Sequence, residues 1–184
     1  MAVLFSCFLL VFLSEMGDKT QLLTLVLAAR FRRPWAVLAG VLCAAAASLG
    51  LAAFLGGAIA AWLGPALLRW IGAASFLAVG ALLLIPEKDG DAPPSGGAGA
   101  FWTTVVTIFL AEIGDKAQLA VVLLGAHYQQ PLWVALGSVL GMVAADSLAI
   151  VFGGRLTAWV PMAWIRRAAS LLFILFGLAL LWRG

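Results

Sequence analysis

Charge is the scarcest ingredient of this sequence. Only 10% of its 184 residues are charged, where a soluble domain carries about a quarter, and the shortfall excludes a water-soluble enzyme. No nucleic-acid partner is expected either, despite a sequence pI near 9.3. The two cysteines, Cys7 and Cys43, both lie inside apolar runs; they exclude a disulfide scaffold and read as small core hydrophobes. The single histidine, His127, falls at a predicted helix end and reads as an interfacial residue rather than a ligand. The four methionines form no ligand-spaced set, so a thiolate or imidazole metal centre is excluded. What remains in abundance is apolar: 65% hydrophobic residues and a mean hydropathy of +1.13 describe an integral membrane protein.

Hydrophobic runs at 2–29, 34–60, 66–86, 101–127, 131–153 and 162–182 predict six transmembrane helices. The first run leads into Glu15-Met16-Gly17-Asp18-Lys19 without a small-residue cleavage site, and does not read as a cleaved signal peptide. Only the Gly- and Pro-rich stretch 87–100, with Glu87, Lys88, Asp89 and Asp91, reads as a linker. The halves it separates are copies. Sliding the sequence by 97 positions aligns 5–84 with 102–181, with 26 of 80 positions identical, where chance would give roughly a tenth. The chain therefore divides into a first repeat (1–86), a cytoplasmic linker (87–100) and a second repeat (101–184).

Three helices per copy is an odd number, so the second copy enters the membrane from the opposite side. The expected fold is all-α: six transmembrane helices arranged as two inverted three-helix repeats. Arg30, Arg32, Arg33, Lys88, Arg155, Arg166 and Arg167 fall on one side, against Arg69 and Arg183 on the other, which puts both termini outside. Tryptophans near helix ends, Trp35, Trp62, Trp102, Trp133, Trp159 and Trp182, fit an interfacial belt. Small residues at Ala44–Ser48, Gly137, Gly141, Ala144 and Ala145 read as close helix packing.

Five of the eight acidic residues, Glu15, Asp18, Glu112, Asp115 and Asp146, lie in apolar helices together with Lys19 and Lys116. An Asp or Lys at a helix centre costs about 2.5–3.5 kcal/mol on insertion scales, so such residues are functional candidates. On a continuous helix Glu15, Asp18 and Lys19 share one sector of about 100°, and so do their second-copy equivalents. The bland alternative is a pair of i,i+4 salt bridges, Glu15 to Lys19 and Glu112 to Lys116, which leaves Asp18 and Asp115 unexplained. Gly17 and Gly114 stand beside the acids. They either break the helix, freeing carbonyls next to the carboxylates, or allow close helix approach. Brought together by the symmetry, four carboxylates and two ammonium groups leave a formal −2, which suits one divalent cation. The candidate ligands are hard oxygens: Glu15, Asp18, Gln21, Glu112, Asp115 and Gln118, which favour Ca²⁺, Mn²⁺ or Mg²⁺. Asp146 has no mirror image, since Leu49 occupies its partner position. It is an extra proton carrier or side ligand, or else pairs with a lysine or faces a wet vestibule.

The duplicated motif resembles that of a family of small membrane proteins with paired Glu-x-Gly-Asp-(Lys/Arg)-(Thr/Ser) signatures, which includes eukaryotic Golgi calcium/manganese transporters and bacterial manganese exporters. Glu15-Met16-Gly17-Asp18-Lys19-Thr20 fits completely; Glu112-Ile113-Gly114-Asp115-Lys116-Ala117 lacks only the final hydroxyl. The resemblance implies divalent cation/proton antiport with Mn²⁺ and Ca²⁺ as substrates, bound by the acidic motif residues. Thr20, without a hydroxyl counterpart at Ala117, is expected to cap or orient its own copy. When the cation leaves, mutual repulsion of the carboxylates draws in protons, so metal and protons compete for one site. Lys19 and Lys116 then act as counter-charges. No cofactor and no enzymatic activity are expected, and a bacterial inner (plasma) membrane is the expected location. The rival reading is a proton-coupled exporter of a small cationic metabolite such as a basic amino acid, which would need a pocket of several hundred Å³.

Overall fold

The computed structural model describes residues 1–62, 65–82, 84, 99–152 and 162–182. Among these all regular structure is helical: α1 Ala2–Glu15, α2 Lys19–Phe31, α3 Pro34–Trp62, α4 Pro65–Leu82, α5 Ala100–Glu112, α6 Lys116–Tyr128, α7 Pro131–Phe152 and α8 Met162–Trp182. The segment 87–98, Arg155, Trp159 and the side chains of Lys19 and Arg166 lie outside the described residues.

Two of the six expected helices are each split in two. The run from Ala2 to Phe31 is α1 plus α2, and the run from Ala100 to Tyr128 is α5 plus α6. The second piece of each ends alike, with Arg32 (φ 52) and Gln129 (φ 51) turning left-handed and donating N–H to the carbonyls of Ala28 and Gly125. Pro34 and Pro131 then open α3 and α7, where a missing N–H costs nothing. By length and composition α3 and α7 are each able to cross a membrane. The outer surface is apolar: Phe5, Leu51, Phe54, Leu110, Val151 and Trp164 are all exposed, an arrangement compatible with a membrane protein. Trp35, Trp62, Trp102 and Trp182 are exposed at helix ends.

Packing repeats with the halves exchanged. A Cβ on Gly137 would meet the Leu4 carbonyl and Cys7, and one on Gly40 would meet the Phe101 carbonyl and Thr104; 4 and 7 plus 97 are 101 and 104. Gly80 faces Ser170 and Ile174, while Gly177 faces Ala73 and Leu77, again the same contact with the numbers swapped. Phe76 and Phe173, equivalent by the same offset, pack on each other with ring centroids 5.9 Å apart. The small residues of α3 and α7 thus serve close backbone approach. The interior they close around holds Cys7, Val11, Val41, Leu49, Ile108, Leu124 and Met142. Cys7 is buried as expected, but Cys43 is exposed, because it lies on the outward face of α3 rather than in the core. His127, in the last turn of α6, sets its ring edge-on to Tyr128 and Phe176.

Candidate metal centre

The two helix breaks are the same structure built twice. Glu15 ends α1, Met16 is extended (ψ 114), Gly17 has φ 78, and Asp18 (φ −83, ψ 167) precedes α2. Glu112 ends α5, Ile113 is extended (ψ 117), Gly114 has φ 72, and Asp115 (φ −75, ψ 160) precedes α6. A left-handed backbone costs a residue with a Cβ about 1–2 kcal/mol. A Cβ on Gly114 would meet nothing within 4 Å, so glycine is required there for conformation and not for packing. Glutamines clamp both breaks: Gly17 N–H donates to Gln21 Oε1 (2.7 Å) and Gly114 N–H to Gln118 Oε1 (2.9 Å). The opposite ends of these amides reach equivalent places. Gln21 Nε2 donates to the Ala145 carbonyl (2.8 Å), and Gln118 Nε2 to Ser48 Oγ (3.4 Å), where 48 plus 97 is 145.

The breaks bring the acids together. Glu15, Glu112 and Asp115 each place a carboxylate oxygen within 4.8 Å of the others. Asp18 is tied in by Lys116, whose Nζ donates to Asp18 Oδ1 at 2.6 Å across the two motifs. All four acids are buried, none more than 6% exposed, and Glu112, Asp18 and Asp115 lie within electrostatic reach of Glu15. The Thr20 hydroxyl donates to Glu15 Oε2 (2.7 Å), while Glu15 Oε1 meets no hydrogen-bond donor among the described residues. The N-termini of α2 and α6, positive ends of their helix dipoles, start beside these acids. Carboxylates this close in a dry interior repel strongly, and a cation or protons would relieve that repulsion.

Two expectations change. The shared sector of Glu15, Asp18 and Lys19 presumed one continuous helix, and the i,i+4 pairing of Glu112 with Lys116 presumed another; the breaks put Glu15 and Lys19 on separate helices with Asp18 between them, and Glu112 and Lys116 on separate helices likewise. Lys116 instead joins the two motifs through Asp18. The amide oxygens of Gln21 and Gln118, expected as metal ligands, each accept a glycine N–H, which leaves one lone pair on each. Asp146 is 1% exposed, with the Thr24 hydroxyl beside it and Asp18 within electrostatic reach, so it faces the protein interior and not a wet vestibule. Thr24 escaped the sequence reading, and Ser48 entered it as a small packing residue without a polar role. Their only signal was a hydroxyl within an apolar run.

Comparison with known proteins places this geometry in context. A family model described as "Divalent cation/proton antiporter GDT1" matches residues 3–91 and 100–184. Over 181 residues the chain is 41% identical to a Vibrio cholerae protein named "Putative manganese exporter", covering 97% of this chain and 90% of that protein. A GDT1-like protein of Synechocystis is 32% identical over 83 residues, 45% of this chain and 39% of its own. A chloroplastic GDT1-like protein of rice (Oryza sativa) is 37% identical over 78 residues, 42% of this chain and 22% of its own. No solved structure matches.

Proposed function

The chain belongs to the GDT1 divalent cation/proton antiporter family, and from that premise we propose that it exports Mn²⁺, with Ca²⁺ as a second cargo, in exchange for protons. Membership makes it a membrane transporter and not an enzyme; the cargo, the site and the direction are our reading. The observation that carries it is the convergence of Glu15, Glu112 and Asp115 oxygens within 4.8 Å, joined to Asp18 by the Lys116 bond. Hard oxygens in this number suit Mn²⁺ and Ca²⁺.

In this reading the four carboxylates are the ligands, and Lys116 is the counter-charge that holds Asp18 while no cation is present. Gln21 and Gln118 keep the breaks open, each amide oxygen retaining one lone pair for the ion. Thr20 orients Glu15. Protons reaching the site from outside occupy carboxylate oxygens and release the cation outward. The frame for this exchange is six membrane-crossing segments in two inverted repeats, 1–86 and 101–184, with both termini outside the bacterial inner membrane. The halves rock against each other so that the site opens to one side at a time. A cavity of about 480 Å³ on α3 and α7, lined by Pro34, Trp35, Leu38, Ser147, Ile150 and Val151, has no carboxylate among these residues to pair with a basic amino acid.

Purified protein in liposomes should exchange Mn²⁺ or Ca²⁺ for H⁺, and a cation series run in the same vesicles ranks the cargoes. Glu15→Gln and Asp115→Asn should each abolish exchange while the protein still inserts and folds. Transport retained in both variants would refute the site.

A further inference from the structure

The pairing of the two halves exposes a difference between the two sides of the carboxylate cluster. Along α2, running from the cluster toward Arg30, Arg32 and Arg33, the buried residues Thr20 and Thr24 present hydroxyls one helical turn apart, about 6 Å. Asp146 of α7 stands beside Thr24. Subtracting or adding 97 gives the equivalent positions on the other side, Ala117, Val121 and Leu49, all apolar and fully buried. A file of Thr20, Thr24 and Asp146 thus leaves the cluster toward the arginine-bearing face, and the three counterpart positions carry no polar side chain.

The outer end of that file has unused binding capacity. Among the described residues Asp146 Oδ2 and Thr24 Oγ1 are buried and meet no partner at hydrogen-bonding geometry, while the two groups lie close enough to interact with each other. The neighbouring Ser147 hydroxyl is already committed to the Val143 carbonyl (2.6 Å), and Gln21 takes the Ala145 carbonyl. A buried carboxylate with an unsatisfied oxygen is costly. Leu49 shows that the same place in the fold accepts an apolar side chain without that cost.

We propose that Asp146 and Thr24 form a second cation station, which holds a divalent ion taken up from the arginine-bearing face before it passes to Asp18 and the central carboxylates. A carboxylate with an adjacent hydroxyl is a hard-oxygen pair of the kind Mn²⁺ and Ca²⁺ accept, and Asp18, within electrostatic reach of Asp146, is the next acid in line. The inference rests on the antiport reading above.

The test uses full-length protein in sealed liposomes, sorted by orientation, with Mn²⁺ supplied to one face at a time. Asp146→Asn should raise the half-saturating Mn²⁺ concentration at the arginine-bearing face about tenfold, the lower range for losing a supporting metal partner. The maximal rate should fall far less, and half-saturation at the opposite face should stay as in the wild type. Thr24→Val, which keeps the side-chain shape, should shift half-saturation in the same direction by a smaller factor, and it decides alone should the Asp146 variant not fold. Unchanged half-saturation overturns the proposal. So does a lower maximal rate at unchanged half-saturation with an altered pH profile, the mark of a proton carrier, and so does an equal shift from both faces. Failure of the antiport reading looks different: wild-type vesicles would not exchange Mn²⁺, or Glu15→Gln would leave exchange intact.

Discussion

Substituting Gly114 separates two reasons for a glycine. Its backbone is left-handed at φ 72, and an added Cβ would find nothing within 4 Å. The cost of Gly114→Ala is therefore the backbone alone, about 1–2 kcal/mol. Asparagine is larger yet visits the left-handed region readily, so Gly114→Asn should be the milder change. For a chain of this size each kcal/mol moves the melting temperature by about 2–4 °C, which puts Gly114→Ala at roughly 2–8 °C below wild type. Gly141 is the control, since a Cβ there would lie 2.6 Å from the Phe8 carbonyl oxygen. The backbone cannot yield easily, overpacking costs about 1–3 kcal/mol, and asparagine should be worse than alanine. Thermal unfolding in detergent, followed through the fluorescence of the eight tryptophans, reads all four variants. The order should invert between the sites. The same order at both, or no effect of Gly114→Ala, would refute the claim that the motif glycine is conformational. Exchange by Gly114→Ala should also fall further than the folded fraction, because a straighter chain carries Asp115 away from Glu15 and Glu112.

Two further tests address the site. The 2.6 Å bond from Lys116 to Asp18 should appear as coupling. Lys116→Met and Asp18→Asn combined should cost less than the sum of the singles by about 1.5–3 kcal/mol, the range for a charge-assisted hydrogen bond, and additive effects would mean that the pair contributes nothing. Thr20→Val removes the donor to Glu15 Oε2 without changing the side-chain shape, and should weaken apparent Mn²⁺ affinity about tenfold. Wild-type affinity in that variant would show that Glu15 needs no orientation.

The duplication, the offset of 97 and the identity of the clustered acids could all be read from residue order, because identities such as Glu15/Glu112 and Asp18/Asp115 need no coordinates. The helix break was legible only as one of two options, since glycine serves both a left-handed turn and a tight contact. It took the open space around Gly114 to choose. The partner of Lys116 was not legible at all. Sequence spacing reports neighbours on one helix, and once the helix is broken the nearest acid belongs to the other motif. Gln21 and Gln118 read as ligands because their amide oxygens are hard oxygens close in sequence to the motif acids. That each amide oxygen also accepts the glycine N–H freed by its break is visible only once the helix is broken. Thr24 carried no signal beyond its hydroxyl, because its relation to Asp146 joins α2 to α7 across more than a hundred residues.

The frame and its lining obey different symmetries, and that difference bears on how such a protein could work. Backbone contacts repeat when the halves are exchanged, down to the Gly40/Gly137 and Gly80/Gly177 approaches. Two conformations that differ only by exchanging the roles of the halves would therefore have nearly equal packing energy. On the alternating-access reading proposed above, a modest difference in ligand binding would then be enough to move the population from one to the other. The polar lining is unequal: by the offset of 97, Thr20 corresponds to Ala117, Thr24 to Val121, Ser48 to Ala145 and Asp146 to Leu49. A symmetric scaffold would keep the two states close in energy, while an asymmetric lining makes the site differ chemically as seen from each face. Adding polar groups to match on both sides would remove that difference, so Leu49 and Val121 matter to the proposal as much as Asp146 and Thr24.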